Sequence, residues 1–311
     1  MSNIKKYREF CKEEENIPLY SRDWWLDVVC DEGFWDVALF EIDNKIVASM
    51  PFYVKKKAFF SAITLPKLTQ TMGPYIKYPK KQTLYKRLSY EKKIINKLLE
   101  ELPPVDIFNQ SFHHSFTNWL PFYWRGYQQS TGYTYVIEDL SDINHVFKNF
   151  TTSTRGDIRK AEKSGIKVID SDDIKAFYEI IKITLKQKKL QSRESLEFIQ
   201  KIYTKAKEND SVIMKFAVKD NIIYSVSLCF YDDKTLYYAI AGSNRDIKFI
   251  GSQQLVQWEM IKFASEKSLS FDFEGSMIEG VEYRNRSFGA EQKPYFNISK
   301  TESKILELLH Y

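Results

Sequence analysis

The residues best suited to chemistry lie in the run from Ser270 to Gly289. Phe271-Asp272-Phe273-Glu274 alternates apolar and acidic residues, and successive strand side chains point to opposite faces, so the pattern predicts a strand with Asp272 and Glu274 side by side. Gly275 must end that strand. Glu279, Glu282, Arg284 and Arg286 follow on a short helix or turn running into Phe288-Gly289. A carboxylate there can take a proton from an attacking amine, directly or through water, and a guanidinium or backbone N–H can stabilise a developing oxyanion. Asp272, Glu274 and Arg286 are the catalytic candidates, with Tyr283 beside them as a substrate contact. A surface strand end with solvated charges would carry the same residue types, so neighbouring segments must decide.

One helix upstream, Gly251-Ser252-Gln253-Gln254-Leu255 opens a helix directly after a strand and loop. Its unpaired N–H groups and positive dipole end suit an anion, and Arg245 and Lys248 would add charge, which makes Arg245, Lys248, Gly251 and Ser252 the cofactor-binding candidates. Further back, Arg155, Arg159, Glu162 and Lys163 share a helix face by their spacing, either as an exposed charged face or as a basic stripe holding a phosphate on donor or acceptor. The aromatic segment around Trp119 reads as lining for a substrate groove or as burial between domains. His113 and His114 have no third ligand at a helpful spacing, so no metal is expected.

These groups need a scaffold. Helices are predicted over 4–15 and 21–30, then strands at Trp35–Ile42, Lys45–Tyr53 and Ala58–Leu65 in an antiparallel meander, and a loop at Thr71–Tyr75. A helix from Thr83 to Leu102 stops at Pro103-Pro104, and strands Val105–Gln110 and Tyr133–Ile137 follow. After a joint at Asp139–Asp142 the order begins again: helices at 143–150 and around Arg155 up to Gly165, a strand at Ile166–Ile169, then helices Asp173–Lys188 and Ser192–Asn209. Strands Val212–Val218, Ile222–Tyr231 and Thr235–Ala241, a helix Ser252–Glu266, the strand Leu269–Glu274, a strand Pro294–Ile298 and a terminal helix complete it. The expectation is an α/β protein of two similar domains, 1–140 and 141–311, each a mixed, largely antiparallel sheet flanked by helices, with the chemistry in the second.

A length of 311 residues suits two domains, and no segment approaches the ~18 consecutive apolar residues of a membrane span. The N-terminus lacks the apolar stretch of a secretory signal, and Cys11, Cys30 and Cys229 are widely spaced and odd in number, which fits a reducing cytoplasm. A net charge of +5 with clustered lysines favours phosphate-bearing partners.

With these residues in hand, the chain resembles the FemAB-like branch of the GNAT acyltransferase superfamily. The resemblance rests on Pro18-Leu19-Tyr20 with Trp24-Trp25-Leu26, on Met72-Gly73-Pro74-Tyr75, on Asn118-Trp119-Leu120-Pro121-Phe122 with Tyr133-Thr134-Tyr135, on the run Arg155 to Gly165, and on Phe271 to Met277 through Arg286-Ser287-Phe288-Gly289. It implies tandem GNAT-like domains and transfer of an acyl group to an amine. The donor would be acyl-CoA as co-substrate, a carrier protein or, as a rival, aminoacyl-tRNA. The acceptor would be a small, phosphorylated amine such as an amino sugar or nucleotide-linked sugar of cell-envelope glycan synthesis, with neither DNA binding nor membrane insertion. Two positions depart from the pattern: Arg284-Asn285 stands where the family often has Phe-Lys, and the coenzyme A loop Gln/Arg-x-x-Gly-x-Gly/Ala is matched by Lys248 to Gln253, ending in Gln253. A non-catalytic module that binds glycan or nucleic acid is the reading from another class, against which the acidic cluster at Asp272, Glu274, Glu279 and Glu282 speaks.

Overall fold

The structure is a computed structural model that describes residues 2–57, 59–187, 190, 194–244, 246–247 and 251–303. By its contacts the chain forms one unit from Met1 to Gly132 together with the chain from Pro294, and a second from Tyr133 to Lys293. The expected division after residue 140 thus falls inside the second unit, and the last strand counts with the first because it pairs there.

In the first unit, α1 (Asn3–Glu13) and α2 (Asp23–Val29) precede a meander of β1 (Phe34–Ile42), β2 (Lys45–Lys57) and β3 (Phe60–Thr64). The β1–β2 turn is Asp43-Asn44, both at positive φ, the geometry that lets a short connection match the twist of paired strands. The stretch expected as a loop contains a short strand, β4 (Tyr75–Ile76), on β2, and Ala58 lies outside the described residues. Helix α3 (Leu84–Glu100) carries the chain across to β5 (Ile107–Ser111), parallel to β3, because Ile94, Ile95 and Leu98 bury one stripe against the sheet. Then come α4 (Leu120–Tyr123) and β6 (Gln128–Ile137).

The second unit repeats this plan. After α5 (Ile143–Asn149), α6 (Thr152–Lys163), β7 (Lys167–Asp170), α7 (Ile174–Gln187) and α8 (Leu196–Glu208) comes the meander β8 (Val212–Lys219), β9 (Ile222–Tyr231) and β10 (Thr235–Ser243). Helix α9 (Ser252–Glu266) crosses to β11 (Ser270–Asp272), parallel to β10. Helix α10 (Glu279–Arg286) and β12 (Glu291–Thr301) follow. Each unit is therefore a meander, a helical crossover and a parallel fourth strand, to which an antiparallel strand is added: β12 on β5 and β6 on β11. The second core packs Leu255, Val256, Met260 and Ile261 of α9 over Ala217, Cys229, Leu236 and Phe271 of the sheet. Lys188, Ser192 and the expected terminal helix lie outside the described residues.

Candidate active site

The strand expected over Leu269–Glu274 ends at Asp272. Glu274 and Gly275 both take left-handed backbone, φ 59° and 62°, and a Cβ on Gly275 would sit 2.0 Å from the Tyr133 carbonyl oxygen. The chain therefore turns tightly against β6, and the two carboxylates are set by this turn instead of by strand alternation. Asp272 is buried; its Oδ1 accepts from the Thr134 hydroxyl and, at 2.7 Å, from the Glu274 backbone N–H. Burial pushes its carboxyl up to about 6 against those two hydrogen bonds. Glu274 is half-buried as a residue, but its Oε1 is enclosed, and burial pushes this carboxyl up to about 8.

Beside the turn, β10 and β11 share only the register Thr235–Tyr237 with Ser270–Asp272. From Tyr238 to Ser243, β10 runs on without β11, and a bulge interrupts its pairing with β9 between Tyr237 and Ile240. A strand edge left this way can pair with an extended ligand. The extra residue also changes which face the side chains take. Tyr238 and Ser243, which simple alternation would put on opposite faces, both meet Gln253: its Nε2 donates to the Tyr238 hydroxyl at 2.6 Å and to Ser227 Oγ at 3.1 Å, and its Oε1 accepts from Ser243 Oγ at 2.9 Å. Burial pushes the Tyr238 phenol up to about 12, opposed by the charge of Arg284, which places that guanidinium near this network.

At the start of α9, Gly251 has φ 103° and approaches α6 so closely that a Cβ would meet the Asp157 carbonyl oxygen at 2.2 Å. No side chain caps this helix. The Ser252 hydroxyl is buried against Ser225 Oγ at 2.6 Å, so what Ser252 offers an anion is its backbone N–H. Arg245 and Lys248 lie outside the described residues.

The basic stripe is occupied otherwise. Arg155 Nη1 donates to the carbonyls of Lys148, at 2.6 Å, and Phe150, closing the end of α5, and Arg159 lies over the Phe147 ring at 5.6 Å. Arg286 is exposed and paired with Glu282 at 3.1 Å, its guanidinium 5.0 Å from the ring centre of exposed Tyr283. Glu282 in turn accepts from the Tyr135 hydroxyl at 2.8 Å, and that hydroxyl accepts from Gln292 Nε2 at 2.6 Å. Two other groups of α10 are placed differently: Arg284 Nε and Asn285 Nδ2 are buried with no hydrogen-bond partner among the described residues. Trp119 belongs to the first unit, half-buried at the start of α4 with its ring 5.4 Å from Tyr123.

The run Arg286 to Gly289 acts as a clasp. Ser287 Oγ accepts from Thr154 Oγ1 at 2.9 Å, and Phe288 lies against Phe150 and Phe273 with ring centres 4.9 and 5.6 Å away. These contacts hold α10 over the end of β11. Asp272, Glu274, Gly251 and Ser252 are candidates that the sequence offers; the hydrogen bonds of Thr134, Tyr238 and Gln253 are not legible there, because a bulge and cross-strand contacts join residues far apart in the chain. Among the described residues no group of three or more histidine, cysteine or acidic side chains could hold a metal, and no helix is long and apolar enough to cross a membrane.

Residues 148–283 match the family model of the acetyltransferase (GNAT) domain. In three dimensions the chain is similar to FemX, with a TM-score of 0.75 at 15% identity over 98% of each chain. It is also similar to L-PGS from Bacillus licheniformis, with a TM-score of 0.56 at 11% identity over 98% of this chain and 94% of that one. A tandem GNAT protein from the clavulanic acid biosynthesis pathway gives 0.54 at 8% identity, over 97% and 95%. No curated protein matches the sequence.

Proposed function

We propose, from the match of residues 148–283 to the GNAT domain model and from the fold shared with FemX and a tandem GNAT protein, that the chain is an acyltransferase that moves an acyl group from a thioester donor, acyl-CoA or an acylated carrier protein, to the amine of a small phosphorylated acceptor such as an amino sugar. The observation that carries this reading is the pairing of an open β10 edge with a high-pKa carboxyl at the end of β11. The edge from Tyr238 to Ser243 suits the amide-bearing arm of a coenzyme A or carrier thioester, and the uncapped N-terminus of α9 suits its phosphates.

An amine reaches the site as an ammonium and must lose a proton before its nitrogen attacks the acyl carbon. Glu274, pushed up to about 8, is matched to that task, since a base works best near the pKa of the proton it takes and the working pH. Asp272 orients the turn that holds Glu274. The negative charge that gathers on the acyl oxygen would be met by Arg284 or Asn285, whose buried Nε and Nδ2 have no hydrogen-bond partner among the described residues, in place of Arg286, which is engaged with Glu282. The bond to sulfur then breaks and the thiolate leaves.

Aminoacyl-tRNA is the rival donor that the resemblance to the FemAB-like branch implies. A thermal-shift titration with coenzyme A, acetyl-CoA and uncharged tRNA in parallel separates the readings, because a ligand of the native state raises the midpoint by mass action. A saturable rise with coenzyme A is expected. A flat response to it beside a salt-sensitive rise with tRNA would transfer the proposal to aminoacyl transfer.

A further inference from the structure

Among the described residues the start of α3 has no packing partner that explains its composition. Every residue from Lys77 to Lys81 and from Thr83 to Ser89 is exposed, so the first turns of the helix project into solvent. Thr83 caps the helix by accepting from the Lys86 N–H, so the turns are formed. Yet Leu84, Tyr85 and Leu88 are 72%, 80% and 44% exposed, and their spacing puts them on one side. Where Lys92 continues the same row, it lies over the exposed Trp124 ring at 4.7 Å. The tip is held firmly: Glu91 accepts from Tyr78, Arg87 and Asn118 at 2.8, 3.0 and 2.7 Å. Lys80 and Lys81 lead into these turns, Lys86 stands across the helix from the leucines and Lys92 on their row, none of them ion-paired among the described residues, while Glu91 is buried beneath.

We propose that this tip, Leu84, Tyr85 and Leu88 with Lys80, Lys81 and Lys86, docks the protein on the surface of a membrane rich in anionic lipid. Charge complementarity and the apolar residues together select this occupant. Leucines in a projecting helical turn gain by entering the acyl boundary, an aromatic with a polar tip suits the headgroup level, and lysines beside them meet lipid phosphates. A nucleic acid would use the lysines and the tyrosine but leave Leu84 and Leu88 in water.

Co-sedimentation of the full chain with vesicles of phosphatidylglycerol and phosphatidylcholine, against phosphatidylcholine alone, tests the inference. Binding is expected only to the anionic vesicles, falling steeply with added salt, since each lysine at such a surface strengthens binding about fivefold. Substituting Leu84→Ser, Tyr85→Ser and Leu88→Ser together, or Lys80→Glu, Lys81→Glu and Lys86→Glu together, should each weaken it at least tenfold with the melting temperature preserved. The proposal is overturned if the wild-type chain ignores anionic vesicles, or if both variants bind as well as the parent. It is overturned equally if light scattering shows a dimer that the serine variant dissociates while vesicles stay unbound, which would make the tip an interface between copies, or if only tRNA is retained, through the lysines.

Discussion

Gln253 donates from Nε2 to the Tyr238 hydroxyl at 2.6 Å, and this bond joins the first turn of the crossover helix to the bulged strand beneath it. The residue that breaks the usual coenzyme A loop pattern is thus turned inward, leaving the backbone N–H groups of α9 to face an anion. Gln253→Ala should strip partners from Ser243, Ser227 and Tyr238 and destabilise the protein by about 1–3 kcal/mol in chemical denaturation. The affinity for coenzyme A, measured by calorimetry on the folded variant, should change by only a few fold. A loss of a hundredfold would mean that the side chain itself reaches the ligand.

Glu274→Gln keeps shape and removes the proposed base. The turnover number should fall by about 10²–10⁴ with little change in KM. For the parent, turnover should climb as pH rises through about 8, because the base acts only when ionised. A variant with parental turnover would remove Glu274 from the chemistry.

The same carboxyl ties stability to pH. Its folded pKa, about 8, is raised above the ordinary value of 4.5, so the folded protein holds a proton that the unfolded chain releases. Its contribution is fully present below pH 4.5 and is lost as pH rises toward 8. Glu274→Gln should therefore melt with the parent near pH 4.5 and above it at pH 8 and beyond, by on the order of 2 kcal/mol once its partial exposure is allowed for. Parallel melting curves over that range would show that the carboxyl is not held in its neutral form.

Alternation exposes the acidic strand, and Gly275 marks an end to it, but the period-two pattern runs formally through Phe273 to Glu274. The turn begins earlier, at Glu274 and Gly275, both in left-handed backbone, and Gly275 lies so close to the Tyr133 carbonyl that a Cβ would not fit, a contact that bridges residues far apart in the chain. The repeated meander and crossover were legible, since helices and strands differ in period and turn residues separate them. The bulge in β10 was not: Tyr237-Tyr238-Ala239-Ile240 reads as ordinary strand, and only cross-strand register shows the extra residue. Arg155 and Arg159 fall on one helix face as spacing requires, yet spacing does not say whether a guanidinium will meet a ligand, a carbonyl or a ring.

Asp272 is a positioning residue in this arrangement. Asp272→Ala would leave the buried Thr134 hydroxyl and the Glu274 N–H without their acceptor, costing about 2–4 kcal/mol. Asp272→Asn keeps an acceptor oxygen for both donors and should recover most of that stability. Turnover should follow stability: the asparagine variant should stay within about tenfold of the parent, well above Glu274→Gln. An asparagine variant as inactive as Glu274→Gln would make Asp272 the base.

Gly275→Ala tests the turn itself. The substitution puts a Cβ where the Tyr133 carbonyl oxygen already stands, at 2.0 Å, and it does so at φ 62°, which L side chains tolerate poorly. Neither group is a flexible side chain, so β6 or the turn must move. A loss of about 2–4 kcal/mol in stability is expected, together with a fall in turnover at temperatures where the variant remains folded, because Glu274 is displaced with its neighbour. Gly280 is the control: on the exposed side of α10 an added Cβ meets nothing within 4 Å, so Gly280→Ala should be neutral or stabilising. Equal behaviour of the two variants would show that the tight turn does not govern the site.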